Sequence, residues 1–160
     1  LIAIGTAVVA AALIVVTVVA QRVQTDPLIV GAEQVARLSL DSSFDIPGLF
    51  FGFDEQGGAR AFQEFHGIRP VVSDSRLFSG NEGDDCMTIF SSADLEKATG
   101  NSFSGFAMSG CGAGAFPAVT QFTLVAQNVP EELASAFPSS AALQFVYDSV
   151  HDEVVVFATE

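Results

Sequence analysis

The densest run of potential ligand atoms in this 160-residue chain is Asn81-Glu82-Gly83-Asp84-Asp85, directly ahead of Cys86. Glu82, Asp84 and Asp85 offer the hard carboxylate oxygens that calcium prefers, but the ligand spacing of an EF-hand loop is missing. A solvated acidic turn between two strands suits the same residues, so no metal site is expected there. Asp54-Glu55-Gln56-Gly57-Gly58 is a weaker version of the same pattern. His66 and His151 are of the type that serves as a general base. One is expected at the end of a short helix and the other in a hairpin turn, both exposed. The run Gly100-Asn101-Ser102-Phe103-Ser104 comes nearest to a nucleophile elbow, yet it lacks the second glycine that lets such an elbow turn. Gly110-Cys111-Gly112-Ala113-Gly114 resembles half a phosphate loop, but Phe116-Pro117 and another strand follow where a helix would be needed. The expectation is therefore no catalytic residue, no cofactor and no enzyme. A Ser–His–Asp site is defined by geometry and stays open as a minor alternative.

The cysteines point to a compartment. There are two, Cys86 and Cys111, in no C-x-x-C arrangement and without a His-rich tract, which disfavours zinc. Outside the cytoplasm such a pair usually oxidises. A structural disulfide is expected, with two free buried thiols or a catalytic thiol as the alternatives. Residues 1–20 (LIAIGTAVVAAALIVVTVVA) agree with that compartment, for they carry no charge and no polar stripe. Twenty residues at a helical rise of ~1.5 Å span about 30 Å, the thickness of a bilayer's hydrocarbon core. A retained transmembrane anchor is expected over 1–20, with a cleaved signal peptide as the alternative. Arg22 stands alone after it, so a basic cytoplasmic flank is expected ahead of Leu1 and the rest of the chain outside the cytoplasm.

The elements that must position these residues divide into a juxtamembrane linker or helix, 21–40, and an extracytoplasmic domain, 41–160. Pro27 and Gly31 interrupt the linker, while Ala32, Val35, Ala36 and Leu38 are weakly helical in spacing. Residues 41–58 read as a loop. Ala59, Phe62 and Phe65, three apart, predict a short helix closed by Gly67. Strands are predicted at Val71–Phe78, Cys86–Phe90, Phe103–Met108, Val119–Ala126, Ala142–Tyr147 and Glu153–Ala158, from β-branched and aromatic runs bounded by Gly, Asp, Asn or Ser. The last two form a hairpin around DSVHD, with Leu143, Phe145 and Tyr147 on one face and either Val154 and Val156 or Val155 and Phe157 returning. Two short helices are predicted in SSADLEKATG, where Ser91 precedes Asp94 by three, and in NVPEELASAF, where Asn128 precedes Glu131 by three and Pro130 sits near the first turn. The fold class is α+β: an N-terminal transmembrane helix followed by a small, mainly antiparallel β domain whose short helices lie on one face of the sheet.

Six basic against 19 acidic residues give a formal charge of −13. A phosphate-binding surface, and with it nucleic acid, is disfavoured; a basic envelope protein is the partner such a charge suits. Fifteen Phe with one Tyr and no Trp would build a compact core. Leu49, Phe50, Phe51 and Phe53, in a loop, are the exceptions and a candidate contact patch.

The apolar segment, the Thr25–Leu28 stretch, DDCMTIF, the second cysteine in MSGCG and the closing VPEELASAF and LQFVYDSVHDEVVVF together resemble the small extracytoplasmic domains of actinobacterial single-pass membrane proteins of unknown function. The resemblance implies a domain tethered to the bilayer through residues 1–20, and brings no catalytic residues. The expected role is non-enzymatic sensing or protein interaction at the cell envelope. A pilin-like filament subunit is the rival reading, although Gly5 stands where many bacterial pilins carry Glu. An extracellular hydrolase is the third.

Overall fold

A computed structural model describes residues 31–47, 58–74, 84–99, 102–125 and 129–159. The chain divides into two units, 1–32 and 33–160, and the architecture below is that of the second, with β1 entering it from Ala32. The expected anchor over 1–20 and the patch at Leu49, Phe50, Phe51 and Phe53 lie outside the described residues. No described helix is long and apolar enough to cross a membrane.

Among the described residues eight strands run in chain order: β1 (Ala32–Ser39), β2 (Arg60–Ala61), β3 (Ile68–Asp74), β4 (Asp85–Ser91), β5 (Ala107–Cys111), β6 (Val119–Thr123), β7 (Ala142–Asp148) and β8 (Glu153–Thr159). Helix α1 (Ser92–Leu95) follows β4, and α2 (Glu131–Ala136) follows β6. The strands form two four-stranded sheets, ordered β1-β8-β7-β6 and β2-β3-β4-β5. The pairs β2–β3, β3–β4, β4–β5, β6–β7 and β7–β8 are antiparallel.

One apolar core draws on both sheets. Leu143, Phe145 and Tyr147 alternate inward from β7, and Val154 and Val156 from β8, against Val72, Met87 and Ile89 of the facing sheet. The period-2 side-chain alternation of a strand makes this possible. A smaller cluster, Ala61, Val71, Phe90 and Leu95, covers the outer face of the second sheet.

The sheets also meet at their sides. On one side Leu40 bridges Phe62, Asp41 N–H donates to Ala61 O at 2.8 Å and Gln63 N–H to Ser39 O at 2.9 Å. On the other, a Cβ built on Gly110 would lie 1.8 Å from Val119 O. Only glycine lets β5 approach β6 so closely. Thr120 of β6 meanwhile donates its hydroxyl to Met87 O of β4 at 3.3 Å.

Several expectations need correction. The mainly antiparallel β domain with short helices is as expected, but two sheets cover one another where one sheet with helices on one face was expected, the helices, four and six residues long, being too short to cover either. The weakly helical stretch Ala32–Leu38 is strand β1. Its backbone is held by β8 and by the 61–63 segment, and only Ala36 and Leu38, two apart, turn toward the core. The predicted helix at 59–67 is strand β2 and a hairpin. Phe65 and Ile68 exchange both backbone hydrogen bonds around His66 (φ 47°) and Gly67 (φ 77°). That is the positive-φ geometry of a two-residue I′ turn, so Gly67 serves a turn and not a helix end. Strand β5 spans Ala107–Cys111 in place of Phe103–Met108, which puts Cys111 inside a strand and not beyond its end. Ahead of the strand, Ser102 bridges Thr99, and Gly105, at φ 150°, lies too close to the Asp94 side chain for a Cβ. Helix α2 begins after Pro130 with no side-chain cap, and Asn128 lies outside the described residues. The Ser91 cap holds: its hydroxyl accepts from Asp94 N–H.

Candidate functional site

Among the described residues, one group of chemistry-bearing side chains stands where β7 turns into β8. Cross-strand pairing sets Asp148, the last residue of β7, directly opposite Glu153, the first of β8. Between them Asp148 Oδ1 accepts from the backbone N–H of Val150 (3.0 Å) and His151 (3.3 Å), which ties the turn to its first residue. Asp148 Oδ2 lies 2.7 Å from His151 Nδ1. Glu153 is ion-paired to Arg37, which reaches across from β1 and also donates to Gln34 Oε1 at 3.3 Å. The hydrogen bond from His151 holds the Asp148 carboxyl below its usual range, against the opposing pull of burial. The same hydrogen bond, and the carboxylate's charge, push His151 up. One ligand atom from each of Asp148, His151 and Glu153 falls within 4.8 Å of the others.

A second knot lies beside the first. Arg60 of β2 donates to Asp85 Oδ1 at 3.0 Å and to Asp152 Oδ1 at 3.1 Å, and its guanidinium sits 5.3 Å from the centre of the Tyr147 ring. Tyr147 donates its hydroxyl to the same Asp152 oxygen at 3.0 Å. Asp152 adopts a left-handed backbone (φ 51°) as the turn closes. Arg60 thus links the two sheets through carboxylates from each. Burial, then the hydrogen bond to Asp152, push the Tyr147 phenol up to about 12, opposed only by the Arg60 charge.

Tyr147 is the chain's one tyrosine and there is no tryptophan, so phenolate absorbance reads this site directly. A midpoint at about 12 is expected in the folded chain, against 10 for a free phenol. The folded state favours the neutral phenol, so its contribution to stability is complete below pH 10 and lost as the pH rises through about 12. Asp152→Ala should move the midpoint back toward 10, because it removes an acceptor and a negative charge while Arg60 stays. A wild-type midpoint at 10 would contradict a buried, hydrogen-bonded Tyr147.

Cys86 and Cys111 are brought together. They face each other across β4 and β5 and form a disulfide. The neighbouring bond from Gly112 N–H to Asp85 O, at 2.8 Å, marks theirs as a non-hydrogen-bonded position, where cross-strand side chains stand closest. Cys86 is buried and Cys111 exposed.

Of the acidic run, Glu82 lies outside the described residues. Asp84 Oδ1 accepts from Gly114 N–H at 3.0 Å, and Asp85 is held by Arg60. The two histidines do not meet. His66 packs edge-on against Phe65 and Phe137 at the Ser91 end of β4, whereas Asp85, at its other end, belongs to the Arg60 knot. Seven strand residues, about 20 Å, separate those ends. Both histidines are exposed, as expected. Phe116 is not a core residue: it is 78% exposed in the β5–β6 connection. Val150 is 85% exposed in the β7–β8 turn. The bond from Tyr147 N–H to Ala118 O places these two connections at the same end of the first sheet.

Arg37, Arg60, Tyr147, Asp148, Asp152 and Glu153 did not stand out in the sequence. The one local signal is the spacing Asp148-x-x-His151-x-Glu153 across a predicted turn; the arginines come from distant strands.

A scan against protein-family models finds no match, and neither a curated protein nor a solved structure matches the chain.

Proposed function

We propose that this chain is a membrane-tethered domain on the outer side of the cytoplasmic membrane, where it binds a protein partner without transforming a substrate. The observation that carries the reading is the Cys86–Cys111 disulfide between adjacent strands, a bond that persists in oxidising compartments and is rare in the cytoplasm. The charge-free segment 1–20 supports attachment to the lipid bilayer. Binding in place of catalysis is supported by how the charged groups are used: Arg60, Arg69 and Arg37 are each committed to carboxylates in ion pairs. The net charge of −13 favours a basic partner through an attraction that salt weakens. Phe116 and Val150, exposed at one end beside the charged turn, give that partner apolar anchors.

Photo-crosslinking from position 116 of the full chain in its host tests the reading. A discrete protein adduct from 116, weakened by high salt and absent from a probe at Ser42, is expected. No adduct from 116, or equal adducts from both positions, would contradict it.

A further inference from the structure

Strand register places two carboxylates in opposition at the β7–β8 turn. Asp148 and Glu153 are direct cross-strand partners, an arrangement in which like charges repel. Two groups answer that repulsion: the His151 ring, hydrogen-bonded to Asp148, and the guanidinium of Arg37, borrowed from β1, on Glu153. The turn itself is fixed by the two backbone N–H groups that Asp148 Oδ1 accepts, so the Asp148 carboxyl stays where it is when the partner of Glu153 changes.

We propose that this turn is a binding site for a zinc-class divalent cation, held by Asp148, His151 and Glu153, with Arg37 as a built-in competitor for Glu153. The chemistry of the donors selects the ion. One imidazole nitrogen and two carboxylate oxygens are a zinc-type set, with a further position left for water. Calcium takes six to eight oxygens and does not favour imidazole. Ligand atoms around tetrahedral zinc stand about 3.4 Å apart, and the three here lie within 4.8 Å of one another. Closing the site takes two side-chain movements: Glu153 swings away from Arg37, and the 2.7 Å Asp148–His151 hydrogen bond gives up its proton to solvent and widens by about 0.7 Å. The exposure of His151 leaves the site open to solvent, and the chain's negative field concentrates cations around it. The site rests on strand register alone and does not depend on the chain's location or partner.

Competition by Arg37 makes the test specific. Zn2+ binding is measured by titration calorimetry on the full chain in detergent micelles. His151→Ala should weaken binding by more than about tenfold, since even the outer partners of metal ligands are worth that much. Arg37→Met should tighten it, because Glu153 is released. Lys97→Met removes the same charge at the end of α1 and should leave affinity within about twofold, the residue being exposed and its charge screened. Circular dichroism of each variant confirms the fold. Zn2+ affinity that ignores His151→Ala, or that Arg37→Met leaves unchanged or weakens, overturns the proposal, as does an equal gain from Lys97→Met, which would mark diffuse attraction to an acidic surface.

Discussion

Phe145→Ala is expected to destabilise the domain by about 3–5 kcal/mol, the usual cost of emptying a large aromatic site in a core. Phe145 is fully buried in β7, between its ladder partners Thr120 and Val156. Its ring packs edge-on against Phe65 at 6.1 Å and stacks with Phe122 at 6.3 Å. Those neighbours come from the β2–β3 turn and from β6, so the cavity opens between the two sheets, where neither can collapse alone. Denaturant unfolding checks it: the midpoint should fall with the slope unchanged. Gln144→Ala, the next residue along, loses only a surface hydrogen bond to Gln121 and should cost less than about 1 kcal/mol. Equal losses at 144 and 145 would contradict the shared core.

Opening the disulfide is expected to cost about 3 kcal/mol. The bond joins residues 25 apart in sequence, and closing a loop of that size restricts the unfolded chain by roughly this amount in the chain-entropy model. Replacing both cysteines by Ala, which suits buried Cys86 better than Ser, should lower the unfolding midpoint as much as reductant lowers the wild type's. Reductant should then do nothing further to the variant. A reductant-insensitive wild type would show that β4 and β5 hold without the staple.

The sequence carried the strongly alternating parts of this fold. Leu143, Phe145 and Tyr147 stand on one face of β7 and DSVHD makes the turn, because a half-buried strand writes its period directly into the residues; in the unbroken apolar run after it either Val154 and Val156 or Val155 and Phe157 could face the core, and the structure puts Val154 and Val156 there. The cysteine pairing was legible from there being two cysteines, one at a predicted strand's start and one just past another's end. What failed was local spacing without alternation. Phe62 and Phe65 are three apart, as on a helix, yet one caps a short strand and the other precedes an I′ turn. At Ala32–Leu38 an edge strand with most residues exposed offered too little pattern to outweigh a chance helical spacing. The charged turn was only half visible. The hairpin was legible, but with Asp148 inside the turn; its register opposite Glu153 comes from the structure, and Arg37 and Arg60 arrive by tertiary packing that no window of sequence contains.

The central claim is that this disulfide-stapled domain stands outside the cytoplasm on a membrane anchor. Acid quenching and alkylation of intact host cells, followed by membrane fractionation with carbonate washing, reads both halves of it at once. The account predicts full-length chain in the washed membrane pellet, with Cys86 and Cys111 resistant to alkylation until reduced. Soluble chain with two alkylated thiols would contradict it.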